Sequence, residues 1–224
     1  MAFTQATFDF LADLQGNNRK DWFDANRARY ETHWKDAALN FIAAISERMA
    51  ALDPPLQAQP KLNGSLRRIN RDVRFSADKS PYNARLHMVF WTGSHPNRSP
   101  GVHIVLHPEG VGYGAGQFGL QPADLTAIRA RILDRADGDA LIAALDKAET
   151  IGCRMGEPDL ARLPTGYAAD GRRAELLRHK AIVARTHEND APPSVLIGKG
   201  GDDWTMKTTE TLMPLVRWLA KTSA

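Results

Sequence analysis

The sequence predicts an α+β fold: an antiparallel, hairpin-based sheet with helices packed around it, in a single domain over residues 1–224. Apolar residues recur at helical spacing before Pro54 and after Pro122, whereas between residues 86 and 117 they alternate as strand residues do. The strand-like runs also follow one another across a tight turn instead of alternating with helices, so a parallel, doubly wound sheet is not expected.

Thr4 can cap a first helix whose Phe8, Leu11 and Leu14 share a face and which ends near Gly16-Asn17. Asn18 can cap the next, where Trp22, Asn26, Tyr30 and His33 or Trp34 keep helical spacing. A third stripe, Leu39, Ile42, Ile45 (or Ser46) and Met49, runs until Pro54-Pro55 stops it. Residues 86–91 read as a strand with two fairly apolar faces, Leu86, Met88 and Phe90 on one and His87, Val89 and Trp91 on the other. Residues 102–107 and 111–117 flank Pro108-Glu109-Gly110 as the arms of a hairpin. Pro122 suits the first turn of a helix carrying Leu125, Ile128 and Ile132 (or Leu133). Another starts at Asp137 or Asp139, carries Leu141, Ile142 and Leu145, and ends at Gly152. After a loop through Pro158, Pro164 and Gly166, helices are predicted near residues 172–184 and 208–221, with Pro214 kinking the last or marking its first turn.

Hydrophobic residues make up 43% of the chain and charged residues 25%, a balance that argues against disorder. No stretch approaches the roughly 18 apolar residues of a membrane helix, and residues 1–5 lack the basic start of a secretory signal. No membrane partner is therefore expected. The lone cysteine, Cys153, forbids an internal disulfide and fits a reducing compartment, so a cytoplasmic location is expected. A formal net charge of +3 is too small to mark a dedicated nucleic-acid binder. Its distribution says more, because between residues 61 and 85 seven cations face only Asp72 and Asp78.

The centre of that surplus is Arg67-Arg68-Ile69-Asn70-Arg71-Asp72-Val73-Arg74-Phe75, followed by the turn Ser76-Ala77-Asp78-Lys79-Ser80-Pro81-Tyr82. Large apolar residues inside a charged run need burial. Some of these guanidinium groups are therefore expected against a core or cleft wall, where each must find an anion. As a helix, the segment would set Leu66, Ile69 and Val73 in a stripe beside Arg67, Arg71 and Arg74. As a strand, it would set Ile69, Arg71, Val73 and Phe75 on one face and Arg68, Asn70, Asp72 and Arg74 on the other. The β-branched and aromatic content favours the strand.

Three uses stay open for this segment. Arginines paired with Asp72 and Asp78 would make an internal lock. Alternatively Arg71, Arg74 and Lys79, with Arg68 beside them, would hold the phosphate or carboxylate of a small ligand, Asp72 or Asp78 orienting an arginine and Tyr82 donating a hydrogen bond. In the third use the basic face would take nucleic acid, with Tyr82 or Trp91 stacking on bases, which the modest net charge disfavours. The anionic-ligand pocket is the working expectation, with Arg71 as its buried structural member and the ligand at Arg74 and Lys79.

The string Arg68-x-x-Arg71-Asp72-x-Arg74-Phe75-x-x-Asp78-Lys79-x-Pro81-Tyr82 resembles the signature of the domain of unknown function 2461 (DUF2461) family. Phe10-Leu11-x-x-Leu14, then Asn17-Asn18 and Trp22-Phe23, looks like that family's N-terminal block. Gly114-x-Gly116 looks like its glycine-bearing strand, and Leu160-x-x-x-Pro164-x-Gly166-Tyr167 with Lys180 is similar to its later block. The resemblance runs from about residue 3 to about residue 219. Asn83 departs from it, standing where many members carry lysine. The resemblance implies a single domain and gives weight to the arginine segment, while implying no reaction, cofactor or catalytic residue.

Other motifs carry less. Gly114-Ala-Gly116-Gln-Phe-Gly119 spells GxGxxG, but a helix beginning at Pro122 and a hairpin strand before it are the wrong surroundings for a dinucleotide site. Glycines that let a strand approach a bulky neighbour such as Trp22 are the preferred reading. His103 and His107 are four apart, about 13 Å along a strand, too far to share one metal, so no metal is expected even with His87 and His95 elsewhere. Arg154 beside Cys153 is weak ground for a reactive thiol. Asn17 and Asn18 read first as helix-junction residues, with Asn18 and Trp22 on the rim of the arginine pocket as the alternative.

Overall fold

In a computed structural model, which describes residues 3–187 and 189–221, the apolar alternation builds an antiparallel five-stranded sheet. Strands β1 (Leu86–Trp91), β2 (Gly101–His107) and β3 (Gly110–Gln117) are consecutive in the chain and in space. The later β4 (Arg154–Met155) and β5 (Ile182–Arg185) complete the order β1-β2-β3-β5-β4. Pro108 and Glu109 form the two-residue turn between β2 and β3, closed by the His107–Gly110 pair. Because side chains alternate across a strand, the register sorts the faces. Leu86, Met88 and Phe90 lie opposite Leu106, Ile104 and Val102, which lie opposite Val111, Tyr113 and Ala115. Apart from the half-buried Tyr113, these residues are fully buried.

Helices cover that face. The first part of the chain contributes α1 (Gln5–Gly16), α2 (Lys20–Ala25), α3 (Arg27–Arg29) and α4 (Ala37–Ala50). Between α3 and α4, residues Tyr30–Asp36 wind as a π-helix, with Trp34 fully buried against Tyr30 and the His33 carbonyl accepting from Thr7 Oγ1 at 2.7 Å. The second part contributes α5 (Pro122–Leu133), α6 (Arg135–Glu149), α7 (Gly171–Leu177) and α8 (Gly201–Ala220). Helices α1, α4 and α8 touch the central strands, α6 packs on α8 and reaches β4, α5 packs on α6 and α7 on α5. No helix among the described residues is long and apolar enough to cross a membrane.

The predicted α+β architecture holds, and four local expectations are corrected. Residues 66–75 are not a strand. Leu66 bridges Met88 and Asn70 bridges Tyr82, but the chain between them is irregular and continues into an exposed loop. A strand face of Ile69, Val73 and Phe75 would need something to cover it, yet only Ile69 is buried and Phe75 is 96% exposed. Residues 172–184 split, with α7 ending at Leu177 and residues 182–185 joining the sheet, because they complete the hydrogen bonding of β3 and bury Ile182 and Ala184. The last helix starts at Gly201, after Gly200 turns the chain at φ 98°, and Asp202 and Asp203 in its first turn suit the positive end of its dipole. Pro214 lies inside it.

The fourth correction concerns the glycines of β3. Their close neighbour is β5, not Trp22, which packs against Phe10. A Cβ on Gly114 would sit 2.5 Å from the Ala184 carbonyl oxygen and 2.7 Å from Arg185 Cα. Only a residue without a side chain admits β5 at that distance.

Candidate functional site

The sheet face turned away from the helices is indented by clefts. Along β3 every second residue from Gly110 to Gly116 is glycine, and Gly112 and Gly114 lie opposite Val105 and His103. This strand therefore offers bare backbone as a floor, and the side chains of its neighbours rise as walls. Three adjoining clefts result. The first, about 250 Å³, lies over that floor between His87, His103 and His107 on one side and Arg185 on the other, with Arg85 at its edge. The second, about 590 Å³, shares His87, His103 and Phe118 with it and adds Arg67, Arg68 and several asparagines. The third, about 650 Å³, shares Arg85 and His107 and adds Asn18, Arg71, Asp78 and Tyr82.

At the junction of the first two clefts, His87 Nε2 and His103 Nδ1 are 2.8 Å apart. Burial pushes their pKa values down to about 3 and about 4, helped at both rings by the charge of Arg67. Both rings are therefore neutral at pH 7, so one donates and the other accepts. Their outer nitrogens, His87 Nδ1 and His103 Nε2, have no hydrogen-bond partner among the described residues. Whichever tautomer pair is present, the two rings together offer one donor and one acceptor.

The cations around this bay differ in how they are satisfied. Half-buried Arg67 donates to Asn97 Oδ1 at 2.5 Å and to the Pro96 carbonyl at 3.3 Å, and burial lowers its pKa. Among the described residues, the side chains of Arg68, Arg85 and Arg185 form no hydrogen bond or ion pair.

The arginine-segment residues divide in two. Arg68 borders the second cleft, and Arg71, Asp78 and Tyr82 border the third. There Arg71 donates to Asp78 and, at 3.5 Å, to Ser76 Oγ. Hydrogen bonds from Ser80, then that from Arg71, hold the Asp78 carboxyl far below the usual carboxylate range. Tyr82 is buried and stacks on Phe23 at 4.1 Å. Asn18 is not the helix cap, because its side chain donates to the Tyr82 carbonyl at 2.9 Å and accepts from the Tyr82 N–H at 3.0 Å. This exchange ties the loop to the α1–α2 junction. Asp72, Arg74 and Lys79 lie outside all three clefts, at the loop tip. Arg74 donates twice to Asp72, at 2.9 and 2.7 Å, and its pull lowers the Asp72 pKa. Lys79 Nζ donates to the Val73 carbonyl at 3.0 Å.

Both members of the Arg74–Asp72 pair are open to water, where such pairs add little. Arg74→Ala is expected to move Tm by no more than about 2 °C, which a thermal melt reads directly. A larger fall would make the pair a structural pin.

The remaining candidates settle simply. Cys153 is fully buried, and burial pushes its thiol up to about 12, so Arg154 does not activate it. Gly114 and Gly116 lie within β3, Gly119 is left-handed at φ 65°, and α5 begins only at Pro122, so no strand–turn–helix surrounds them. Among the described residues no three of His, Cys, Asp and Glu gather as metal ligands would.

Sequence reasoning passed over Arg85, Arg185, Phe118 and the His87–His103 contact. The available signal was glycine at every second position from residue 110 to 116, facing His103 and Val105 across the hairpin.

Residues 6–218 match the family model described as a conserved hypothetical protein, DUF2461. No curated protein and no solved structure matches the chain.

Proposed function

We propose, for a chain that belongs to the DUF2461 family, that the bay on the open sheet face binds an anionic small ligand through its phosphate or carboxylate. The observation that carries this reading is that Arg85 and Arg185 border one cleft over a glycine floor and have no protein anion to pair with among the described residues. Guanidinium groups keep their charge at any physiological pH and recognise planar or tetrahedral oxyanions through paired N–H donors. The neutral histidine pair adds hydrogen-bonding capacity there without adding charge. The ligand position thus moves from Arg74 and Lys79, which are occupied within their own loop, to Arg85 and Arg185. Arg68, Arg71 and Asp78 stand at the margins of the bay. A cytoplasmic setting belongs to the same proposal, on the grounds of the lone cysteine.

Calorimetric titration with inorganic phosphate and sulfate tests this. Replacing Arg85 and Arg185 together by alanine is expected to weaken binding about 100-fold, with Arg74→Ala binding as the parent does. If neither anion releases heat nor raises Tm, the pocket reading fails. A structural-lock role for the segment is then preferred, supported by the Arg71–Asp78 and Arg74–Asp72 pairs and the Lys79–Val73 hydrogen bond.

A further inference from the structure

We infer that the ligand of the bay is a mononucleotide, its phosphate between Arg85 and Arg185 and its base in the adjoining cleft against Phe118; this rests on the anion-binding reading above. The two clefts share a wall but differ in lining, as the two ends of such a ligand differ. The smaller is cationic over bare backbone and suits a phosphoryl group. The larger is lined by Asn63, Asn70 and Asn83, whose side-chain amides have no hydrogen-bond partner among the described residues. Each amide offers donors and an acceptor side by side, which is what the edge of a heterocyclic base requires. Arg68, also unpaired there, has a planar guanidinium that stacks on bases as readily as it pairs with oxyanions.

Phe118 supplies the planar surface. It is 47% exposed, though its large apolar ring gains from burial. It is nonetheless held in place: its ring meets His103 edge-on at 5.6 Å, the preceding Gln117 donates to the Arg98 carbonyl at 2.7 Å, and left-handed Gly119 turns the chain just beyond it. An exposed aromatic fixed on the wall between a cationic and an amide-lined cleft is a stacking ledge. The His87–His103 pair lies between the two clefts and presents one donor and one acceptor. A sugar hydroxyl, which both gives and takes a hydrogen bond, complements it at the place where ribose would join phosphate to base. Volumes of about 250 and 590 Å³ suit a ligand of that size.

The test compares the four ribonucleoside 5′-monophosphates with ribose 5-phosphate, inorganic phosphate and adenosine by calorimetry. It uses the parent protein, Phe118→Ala, and the Arg85→Ala/Arg185→Ala pair. At least one nucleotide is expected to bind about tenfold or more tighter than ribose 5-phosphate. Phe118→Ala is expected to erase that margin while leaving ribose 5-phosphate binding intact, and the arginine pair to weaken both. Equal binding of nucleotide, ribose 5-phosphate and phosphate overturns the nucleotide while the anion site stands. Silence from every phosphate compound removes both readings. Binding confined to single-stranded oligonucleotides, with a steep salt dependence, replaces the mononucleotide with a nucleic-acid strand.

Discussion

Acidification from pH 7 to pH 5 is expected to destabilise the fold by about 3 kcal/mol through His87 and His103. In the unfolded chain each titrates near 6.5, whereas in the folded chain they wait until about 3 and about 4. Below 6.5 the unfolded chain therefore binds more protons. Stability is full above that pH, falls as the pH drops, and stops falling only below the folded values. Two independent imidazoles would lose more, but a hydrogen-bonded pair holds its first proton between both rings, which moderates the sum. His179, also lowered by burial, adds in the same direction. Asp21, Asp72, Asp78 and Asp137, whose folded values are lowered, lose their contribution only as the pH falls through the unfolded carboxylate value of about 4 and beyond, beneath this window. Melts across pH 5–8 should show the parent losing roughly 10 °C, with His87→Gln/His103→Gln much flatter. Parallel slopes for the two proteins would sink the assignment.

Gly114→Ala should lower stability by about 3 kcal/mol, again roughly 10 °C in Tm. The added carbon meets the Ala184 carbonyl and the Arg185 backbone, which cannot swing aside as a side chain would. Relief requires β5 to move away from β3, carrying β4 with it, since β4 pairs only with β5 in the sheet order. Gly156→Ala, where a Cβ meets nothing within 4 Å, is the matched control and should be nearly silent. Equal melting temperatures for the two variants would show that β3 and β5 tolerate separation. Because Arg185 forms one wall of the cleft, phosphate affinity should fall along with stability in Gly114→Ala.

Elements whose periodicity is local were legible in the chain. The α1 face of Phe8, Leu11 and Leu14, the β1–β3 alternation and the Pro122 start of α5 all follow from spacings within one segment. What could not be read depends on partners distant in sequence. Ile182–Arg185 looks helical beside α7, and becomes a strand only because β3 has an unpaired edge to offer. The arginine segment reads as a strand on its β-branched and aromatic content, yet Val73 is only half-buried and Phe75 is exposed, so no covered face rewards that conformation. The site suffers from the same limit. His87, His103 and Arg185 come from three strands, with Arg85 just before the first, across a hundred residues, so their convergence is a property of the register and not of any motif. The aspartate pairings of Arg71 and Arg74, by contrast, are local, and they fit the internal lock that the sequence left open beside the ligand reading.

The position of the arginine segment beside β1 has a consequence for association between molecules. β1 ends the sheet order, and the outer hydrogen-bonding groups of such a strand can recruit a strand from another copy. Here they are already engaged: His87 accepts from the Arg67 N–H, Val89 donates to Ser65, and Trp91 accepts from the Gln57 N–H. The covering chain then veers off as a charged, irregular loop that cannot itself serve as the next strand. At the opposite margin β4 is only two residues long. Both borders of the sheet are thus closed to extension, and the basic segment that borders the bay also guards the protein against edge-to-edge aggregation.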